Sequence, residues 1–597
     1  MDIIALNNLI CYAVSTVNLV FTKCLNLLRI NNIMKMKEHF AANKSKISVI
    51  LLFLFLTMTF VVSFKTKFNV HYDRLFGWHS WLSGSIIKFV NNWLIETPQK
   101  LCFVNYENPN SIEFNDLTER EPYISYPSGC TFFVYIFAKL LGRQTIDISF
   151  LKHLQMICFW LETLLLALFV YRFLKNIGIK SETEKTITAF LTALFWSWIP
   201  TNVWYLANVF FSDQCVILFI MVFLYIEFES YCCKSNSLNL ILNLIKVLLI
   251  LAGVLIDYYF WIFIFVAFVL KIIYSIKNKK TLVIIIRDSL WYVIPVFFAV
   301  SVFLCQIVSV SNWQNTLKAT FLDRIGATQS ECSTMKYIVT QLCKYFIDAF
   351  GLETNLKLLV LLLIILCFHS GNTKASKDLI TSLKESAFST SGIILILGTI
   401  SPILQILFLK NHSAVHEFSE TKLSWIVAMI PVIVSVIYYK THKDNGQLTL
   451  FSKINVSPFL KYFMISFLCI VFITGVPFSS KEYKDKHEIE VYDYHLAEIL
   501  RENTTYEHVC FSFSYFIPFN PPQELSVSQK RVYKIDTETE MNTMFPNLNQ
   551  QALKLFIIDK NAVSELTEEQ IEVQNNLNNS NKVFFEDERF CILELAK

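Results

Sequence analysis

The sequence predicts a mainly α-helical, polytopic membrane bundle of about eleven spans with juxtamembrane helices, followed by a small soluble C-terminal α/β domain. Composition is the first observation behind this prediction. Hydrophobic residues make up 54% of the 597 residues and charged residues 17%, whereas soluble domains are about 45–50% apolar and about 25% charged. The second observation is a series of long apolar runs, and the third is the polar character of residues 478–597.

The apolar runs set the predicted number of spans, because a helix needs about 20 mostly apolar residues to cross the hydrocarbon. Runs of suitable length occupy residues 46–64, 150–173, 186–203, 208–228, 238–256, 258–276, 287–309, 355–369, 390–409, 423–440 and 457–477. These runs define a membrane domain over 46–477, with an outer loop at 65–149. Residues 1–45 form a cytoplasmic or interfacial segment, in which 1–30 is predicted as an interfacial amphipathic helix because several polar residues interrupt it.

A further apolar run, Cys130–Leu141, is too short to cross unaided and is predicted as a juxtamembrane or re-entrant helix on the outer side. The distribution of lysine and arginine supports this interpretation, because basic residues favour cytoplasmic loops. The basic segments near 35–46, 175–185 and 277–287 fall on one side only if the short run does not cross. This predicts a cytoplasmic N-terminus and a C-terminal domain on the periplasmic, lumenal or extracellular side.

The polar tail contains short strand-like runs at Val509–Phe516, Arg531–Ile535, Lys554–Ile558 and Lys582–Leu595. A helical pattern at Leu496–Arg501 and another at 565–577 accompany them. Together these predict a small α/β domain at 478–597 in which the second helix packs on a sheet. The tail has no glycine-rich phosphate loop and no nucleophile elbow.

The first outer loop holds most of the candidate chemistry. Asp73 lies a few residues beyond a membrane end, where partial burial raises the basicity of a carboxylate. It is a candidate general base toward an acceptor hydroxyl or amine, and pairing with Arg74 is the structural alternative. The loop's candidate substrate-binding residues are His71, Arg74, His79, Glu107 and Tyr126.

The later outer segments supply further candidates. Asp213 begins an apolar run, where an ionisable side chain usually faces a cavity or a partner, although it also suits a helix N-cap. In the segment 410–422, His412, His416 and Glu417 are predicted to contact a sugar or phosphate together with Lys422. A divalent cation is a further candidate ligand, but the spacing lacks a third typical zinc ligand. Arg324 is a candidate phosphate contact.

The order of these elements resembles the GT-C class of integral membrane glycosyltransferases, which includes protein mannosyltransferases and aminoarabinose transferases. A first span precedes an acidic motif, His71-Tyr72-Asp73-Arg74. A Tyr-Pro element follows at Tyr126-Pro127-Ser128-Gly129, then a long span starting near Lys152, and finally Asp213 at the outer end of a later helix. Ser128 replaces a common second proline, and Lys152 replaces an arginine.

The resemblance implies transfer of a sugar from a polyprenyl-phosphate donor to a glycan, lipid or protein acceptor at the outer membrane face, with inversion at the anomeric carbon. Within it, Asp73 and Asp213 are the expected catalytic residues. Asp73 would act as the base or orient the acceptor, and Asp213 would help to hold the acceptor or a cation. Arg74, Arg324 and Lys422 would stabilise the departing phosphate. No cofactor is certain, and the surrounding membrane lipid is an expected partner.

Three other functions compete with a glycosyltransferase. A lipid-linked saccharide transporter or flippase would show Gly/Pro-broken helices and charges near mid-membrane, whereas these spans are poor in Gly and Pro. A polysaccharide polymerase or ligase would carry a dominant late outer loop with arginines, and here the acidic aromatic loop comes early. A membrane scaffold would need no converging carboxylates. Nucleic-acid binding is excluded because no long basic patch with interleaved aromatics occurs.

Overall fold

The computed structural model shows a helical bundle joined to a C-terminal α/β domain, as predicted. The structure describes residues 33–68, 74–114, 117, 120–310, 313–327, 335–352, 389–442, 457–489, 493–513, 522–544 and 552–595. The predicted interfacial helix at 1–30 and the predicted span at 355–369 lie outside these residues.

The helices of the bundle and its juxtamembrane parts are, in chain order, α1 (Ile33–Val62), α2 (Phe64–Lys67), α3 (Ser80–Glu96), α4 (Gly129–Leu140), α5 (Ile148–Ile177), α6 (Glu182–Ser197), α7 (Ser212–Cys232), α8 (Asn236–Ile256), α9 (Tyr258–Lys277), α10 (Leu282–Val308), α11 (Trp313–Arg324), α12 (Met335–Phe350), α13 (Thr390–Phe408), α14 (Lys410–Val415), α15 (Ser424–His442), α16 (Pro458–Thr474) and α17 (Val476–His487). A short hairpin, β1 (Asn105–Tyr106) with β2 (Pro122–Tyr123), lies between α3 and α4.

Eight helical stretches in the described part of the chain are long and apolar enough to cross a membrane. They are α5, α7, α8, α9, α10, α13, the stretch Glu417–Ile437 that includes most of α15, and the stretch Pro458–His487 that joins α16 and α17. Each corresponds to one predicted apolar run. Two further predicted runs lie on α1 and α6, and α6 itself has only 16 residues. The bundle is therefore polytopic and helical.

The short run at Cys130–Leu141 forms α4, a helix of 12 residues. It packs against α3, α7 and α8. Its first residue, Gly129, lies against the end of α8 so closely that a Cβ there would be 2.3 Å from the Leu255 carbonyl oxygen. This approach places Tyr126, just before α4, next to the junction between α8 and α9.

Several helix termini meet at one end of the bundle, which we call the site end. Helix α7 begins there at Ser212, and α8 ends and α9 begins there around Asp257. A 3₁₀ segment, Glu417–Leu423, enters the same region before α15. Side-chain contacts between Asp213, Asp257 and Lys422 join these termini, so residues far apart in sequence converge at this end.

The C-terminal domain is a five-stranded mixed sheet with helices. Its strands are β3 (His508–Ser512), β4 (Val532–Lys534), β5 (Leu553–Asp559), β6 (Lys582–Glu586) and β7 (Phe590–Glu594), and its helices are α18 (His495–Asn503), α19 (Pro522–Ser528), α20 (Glu538–Thr543) and α21 (Glu568–Ser580). The order across the sheet is β4-β3-β5-β7-β6, with β4, β3 and β5 parallel and the remaining pairs antiparallel. The α/β prediction is confirmed.

One detail of the predicted strands is wrong. The run Lys582–Leu595 was expected as a single strand, but it is a hairpin of β6 and β7. The turn forms because the Asp587 carboxylate accepts a hydrogen bond from the Phe590 amide at 2.6 Å, and the Asp587 amide donates to the Phe590 carbonyl at 2.9 Å. Aspartate commonly bonds the backbone just after it in turns.

The C-terminal domain packs on the segment between α2 and α4, where α19 contacts α3. Gly84 of α3 allows this close approach, because a Cβ at that position would be 2.7 Å from the Pro522 carbonyl oxygen. The Gln523 side-chain amide also donates to the Ser80 hydroxyl at 3.3 Å. The C-terminal domain therefore contacts α3, which precedes Tyr126 in the chain.

We expect Gly84→Ala to destabilise the protein by about 1–3 kcal/mol, because an added methyl group in a packed contact forces backbone movement. Thermal unfolding of the purified full-length protein and proteolytic release of the C-terminal domain would measure the effect. Ile95→Ala is the matched control, since Ile95 lies on the same helix and is 43% exposed. A melting temperature equal to that of the control would contradict the tight contact.

Candidate functional site

A buried lysine between two carboxylates is the centre of the site. The Lys422 Nζ atom lies 2.5 Å from the Asp213 Oδ1 atom and 3.8 Å from the Asp257 Oδ2 atom. All three residues are at most 3% exposed. A buried charge is costly unless it is paired, so each of these groups depends on the others. The Lys422 ammonium also lies 4.9 Å from the centre of the Tyr259 ring.

Local sequence explains how the two carboxylates reach the lysine. Asp257 caps α9, and its Oδ1 atom accepts a hydrogen bond from the Tyr259 amide at 2.8 Å. Asp213 lies in the first turn of α7, after the extended residue Phe211. A π-helical turn, Asn202–Leu206, precedes this region; such turns are rare and occur often at functional sites.

Tyr126 extends the cluster toward the segment between α3 and α4. Its hydroxyl donates to the Asp213 Oδ2 atom at 2.9 Å and lies 3.2 Å from the His412 Nε2 atom. The Arg324 guanidinium lies 4.5 Å from the Tyr126 ring centre and 5.4 Å from that of Tyr258. Such cation–π contacts stabilise a desolvated cation.

We call this group the Asp213 cluster. Its members lie at the site end and come from five separate segments of the chain: Tyr126, Asp213, Asp257, Arg324, His412 and Lys422. Within the described residues Arg324 forms no ion pair within 4.0 Å, although it is only 9% exposed. The cluster therefore combines a fixed carboxylate with a buried cation that has no ion-pair partner within 4.0 Å among the described residues.

Histidines line the neighbouring space. The His412 and His416 ring centres are 4.7 Å apart, and His416 stacks on Phe418 at 5.0 Å. His79 adds a third ring, 5.7 Å from that of His416. Burial lowers the pKa of His416 to about 4 and that of His79 to about 3, and it lowers the pKa of His412 as well. These rings are therefore neutral near pH 7.

Glu417 belongs to a second cluster next to the first. Its Oε1 atom accepts hydrogen bonds from the Tyr205 hydroxyl at 2.6 Å and the Tyr483 hydroxyl at 3.2 Å. It also contacts the Nε2 atom of His487, whose ring stacks on Tyr483 with centres 4.1 Å apart. We call Glu417, Tyr205, Tyr483 and His487 the Glu417 cluster. It connects α17 to the segment that carries the histidines.

Two other candidate residues lie apart from both clusters. Glu107 forms an ion pair with the buried Lys88, with 2.5 Å between Oε2 and Nζ. Arg74 is exposed, and its carbonyl oxygen accepts a hydrogen bond from the Lys152 Nζ atom at 2.9 Å. Lys152, which stands where the resembled class has an arginine, therefore holds the chain just after 69–73. His71 and Asp73 lie outside the described residues.

The described residues do not provide a divalent-cation site. No group of three or more His, Cys, Asp or Glu side chains able to hold a metal occurs among them. In the Asp213 cluster, the Lys422 ammonium already neutralises the carboxylate that a cation would use. His71 and Asp73 are not covered by this search, so the divalent cation stays a prediction.

Some residues of the site region had no signal in the sequence. Tyr205, Tyr483 and His487 reach Glu417 only through long-range packing. Lys67 is 1% exposed, and its Nζ atom donates to the Ser197 hydroxyl at 2.7 Å and faces the ring of Trp198 at 4.8 Å. A lysine at the end of an apolar run is ordinary, so its burial could not be predicted.

Comparison with known proteins gives structural likeness only. No family model and no curated protein sequence matches the chain. The crystal structure of ArnT from Cupriavidus metallidurans in the apo state is similar at 10% identity and a TM-score of 0.46, covering 90% of this chain and 97% of that one. The same protein bound to undecaprenyl phosphate gives 8% identity, the same coverage and a TM-score of 0.46.

An archaeal protein gives a comparable result. The oligosaccharyltransferase AglB from Archaeoglobus fulgidus, in complex with an inhibitory peptide and a dolichol-phosphate, is similar at 12% identity and a TM-score of 0.44. The match covers 87% of this chain and 70% of that chain. At these identities few side chains are shared, and the chemistry of the site follows from this chain's own residues.

We expect Lys422→Met to destabilise the protein by about 3–5 kcal/mol, because it leaves Asp213 and Asp257 buried without their cation. Adding Asp257→Asn to this variant should restore part of the loss. Thermal or denaturant unfolding of the four proteins in a double-mutant cycle measures the coupling. Lys410→Met is the control; if Lys422→Met were as stable as the control, the ion pair would not hold the site together.

We expect the stability of the protein to fall as the pH drops from about 6.5 toward 4. The ordinary pKa of histidine is 6.5 and that of buried His416 is about 4, so protons bind the unfolded state more strongly in this range. His416→Gln should reduce the slope of melting temperature against pH. His153→Gln, at an exposed histidine on α5, should leave the slope unchanged, and an unaltered slope in His416→Gln would refute the role of burial.

Proposed function

We propose that this chain is a glycosyltransferase that moves a sugar from a polyprenyl-phosphate donor to an acceptor at one membrane face. The observation that carries the proposal is the Asp213 cluster. It places a carboxylate fixed by Tyr126 and Lys422 beside Arg324, a buried cation with no ion-pair partner in the described residues. An oriented carboxylate and a desolvated cation suit a reaction in which a phosphate departs.

The resemblance to the GT-C class adds support at particular residues. Tyr126 and Asp213 come from two of its ordered motifs, 87 residues apart, and their side chains are in contact at 2.9 Å. Lys152, from a third motif position, binds the backbone of Arg74. The contact between Tyr126 and Asp213 supports a site at this end of the bundle, and we propose that a lipid-linked donor enters it sideways from the bilayer.

In the proposed reaction, an acceptor oxygen or nitrogen attacks the anomeric carbon from the side opposite the phosphate. The new bond to the acceptor forms as the bond from the anomeric carbon to the phosphate oxygen breaks, and the polyprenyl phosphate leaves with the electron pair. We assign the acceptor proton to Asp73 as general base. Arg324 and Lys422 stabilise the charge on the departing phosphate, while Asp213 orients the acceptor.

The remaining candidates receive supporting roles in this proposal. Tyr126 and His412 position the Asp213 carboxylate, and neutral His416 and His79 offer ring nitrogens to sugar hydroxyls. Glu417 fixes the segment that carries these histidines. Arg74 and Glu107 are assigned to contacts at the entrance from the outer loop.

The orientation of the chain is also part of the proposal. Basic residues near 175–185 and 277–287 lie at helix ends opposite the site end, and such residues favour the cytoplasm. We therefore assign the site end and the C-terminal domain to the periplasmic, lumenal or extracellular side. Cysteine labelling at Ser128 and Lys180 tests this assignment, since the two positions should react from opposite sides.

We expect Asp73→Asn and Arg324→Gln each to lower transfer by roughly 10²-fold or more, because a general base or a phosphate contact is lost. Cells lacking the chain should accumulate a polyprenyl-phosphate-linked sugar, detectable by mass spectrometry of lipid extracts. Complementation with the wild-type chain should remove this intermediate, and complementation with either variant should not.

Lys318→Gln is the matched control for Arg324→Gln, because Lys318 lies exposed on the same helix. It should complement fully. Membrane extraction and size-exclusion profiles must be equal for all variants, so that folding is separated from catalysis. Full complementation by Arg324→Gln would overturn the phosphate assignment, and full complementation by Asp73→Asn would overturn the base.

A further inference from the structure

A polar cavity lies at the other end of the bundle, between α7, α8, α9 and α10. Its volume is about 350 Å³. Ser230, which lines it, comes 17 residues after Asp213 on α7, and a helix rises about 1.5 Å per residue. The cavity is therefore about 25 Å from the Asp213 cluster and has no part in the proposed transfer site.

The lining of this cavity is strongly cationic. Four of its side chains are basic, namely Lys246, Lys271, Lys280 and Arg287, while Asp288 is the one acidic lining residue. The charge of Lys246 is neutralised by Glu227, which does not line the cavity; the Nζ and Oε2 atoms are 2.9 Å apart. Asp288 pairs with both Lys280 at 3.0 Å and Arg287 at 3.3 Å, so one carboxylate serves two cations.

Lys271 is the lining cation without a close ion pair, although the carboxylates of Glu227 and Asp288 act on it from beyond contact distance. It is 8% exposed, and within the described residues it forms no ion pair within 4.0 Å. Its Nζ atom lies 4.1 Å from the centre of the Tyr231 ring, an arrangement that only partly compensates for the loss of water. A buried ammonium that lines a cavity in this way favours an anion inside the cavity.

The remaining lining fits a phosphate group. Asn239, Asn243 and Asn278 contribute side-chain amides, and Tyr274 contributes a hydroxyl. These groups add hydrogen-bond donors to the cations, which is how proteins hold phosphate oxygens. The flanking faces of α8 and α10 expose large apolar residues, including Leu248 at 66% and Ile294 at 60%, so the surroundings are suited to lipid.

We infer that this cavity binds a phosphate-bearing anion, presented as the headgroup of an anionic lipid in the leaflet opposite the site end. Basic pockets between membrane helices bind such headgroups elsewhere. Binding would neutralise Lys271 and join α7 to α10 through one ligand. The site is independent of the proposed transferase activity.

Lipid binding to the purified full-length protein tests this inference. Short-chain phosphatidylglycerol is titrated against phosphatidylcholine in detergent, with melting temperature and native mass spectrometry as readouts. We expect phosphatidylglycerol to bind more tightly than phosphatidylcholine. Lys271→Gln and Arg287→Gln should each weaken phosphatidylglycerol binding about fivefold, the effect of one basic residue near a membrane surface.

Lys279→Gln is the matched control, because Lys279 is exposed in the loop between α9 and α10 but does not line the cavity. This variant should bind phosphatidylglycerol like the wild type. Arg287, whose side chain is 69% exposed, keeps the test informative if Lys271→Gln does not fold. A second titration uses inorganic phosphate without anionic lipid. A Lys271-dependent response to phosphate alone supports the anion site with a soluble ligand. Equal binding by all variants to both probes would overturn the inference.

Discussion

The ion pair between Lys422 and Asp213, with Asp257 close by, is the interaction on which the site end depends. Three helix termini and one 3₁₀ segment meet at this lysine, and none of the three side chains is more than 3% exposed. Separating these charges would cost about 3–5 kcal/mol of stability, because each would remain buried without a partner. Tyr126, which the close approach of α4 to α8 positions, adds a hydrogen bond to Asp213 in this arrangement.

The sequence predicted the parts of the fold that arise from local periodicity. Apolar runs located the helices, and the short run at Cys130–Leu141 became a 12-residue helix as expected. The α/β character of the tail was also predictable from alternating apolar residues. The hairpin at β6 and β7 was not, because the turn depends on Asp587, one acidic residue in a mixed stretch.

The sequence identified many of the residues that lie at the site, but not all of the side chains to which they hydrogen-bond. Asp213 was singled out from its place at the start of an apolar run, and Tyr126, Arg324, His412 and Lys422 from polar segments between the runs. The structure brings them together. Glu417 was grouped with the histidines, yet its hydrogen bonds go to Tyr205, Tyr483 and His487. Those partners lie up to 212 residues away in the chain, and no local pattern encodes such a contact.

The contact between the C-terminal segment and the loop that precedes α3 has a consequence for the order in which the protein is made. The Tyr494 hydroxyl donates to the Leu75 carbonyl, 419 residues earlier, at 2.7 Å, and the Trp78 amide donates to the His487 carbonyl at 2.8 Å. The loop leaves the ribosome early, but its partners are synthesised only at or after the end of Pro458–His487, the last described stretch able to cross a membrane. Domains generally fold as they emerge from the ribosome. This loop, however, can form these two hydrogen bonds only once the last fifth of the chain has been synthesised. A translation product that stops before α17 lacks both hydrogen-bond partners of this loop, His487 and Tyr494.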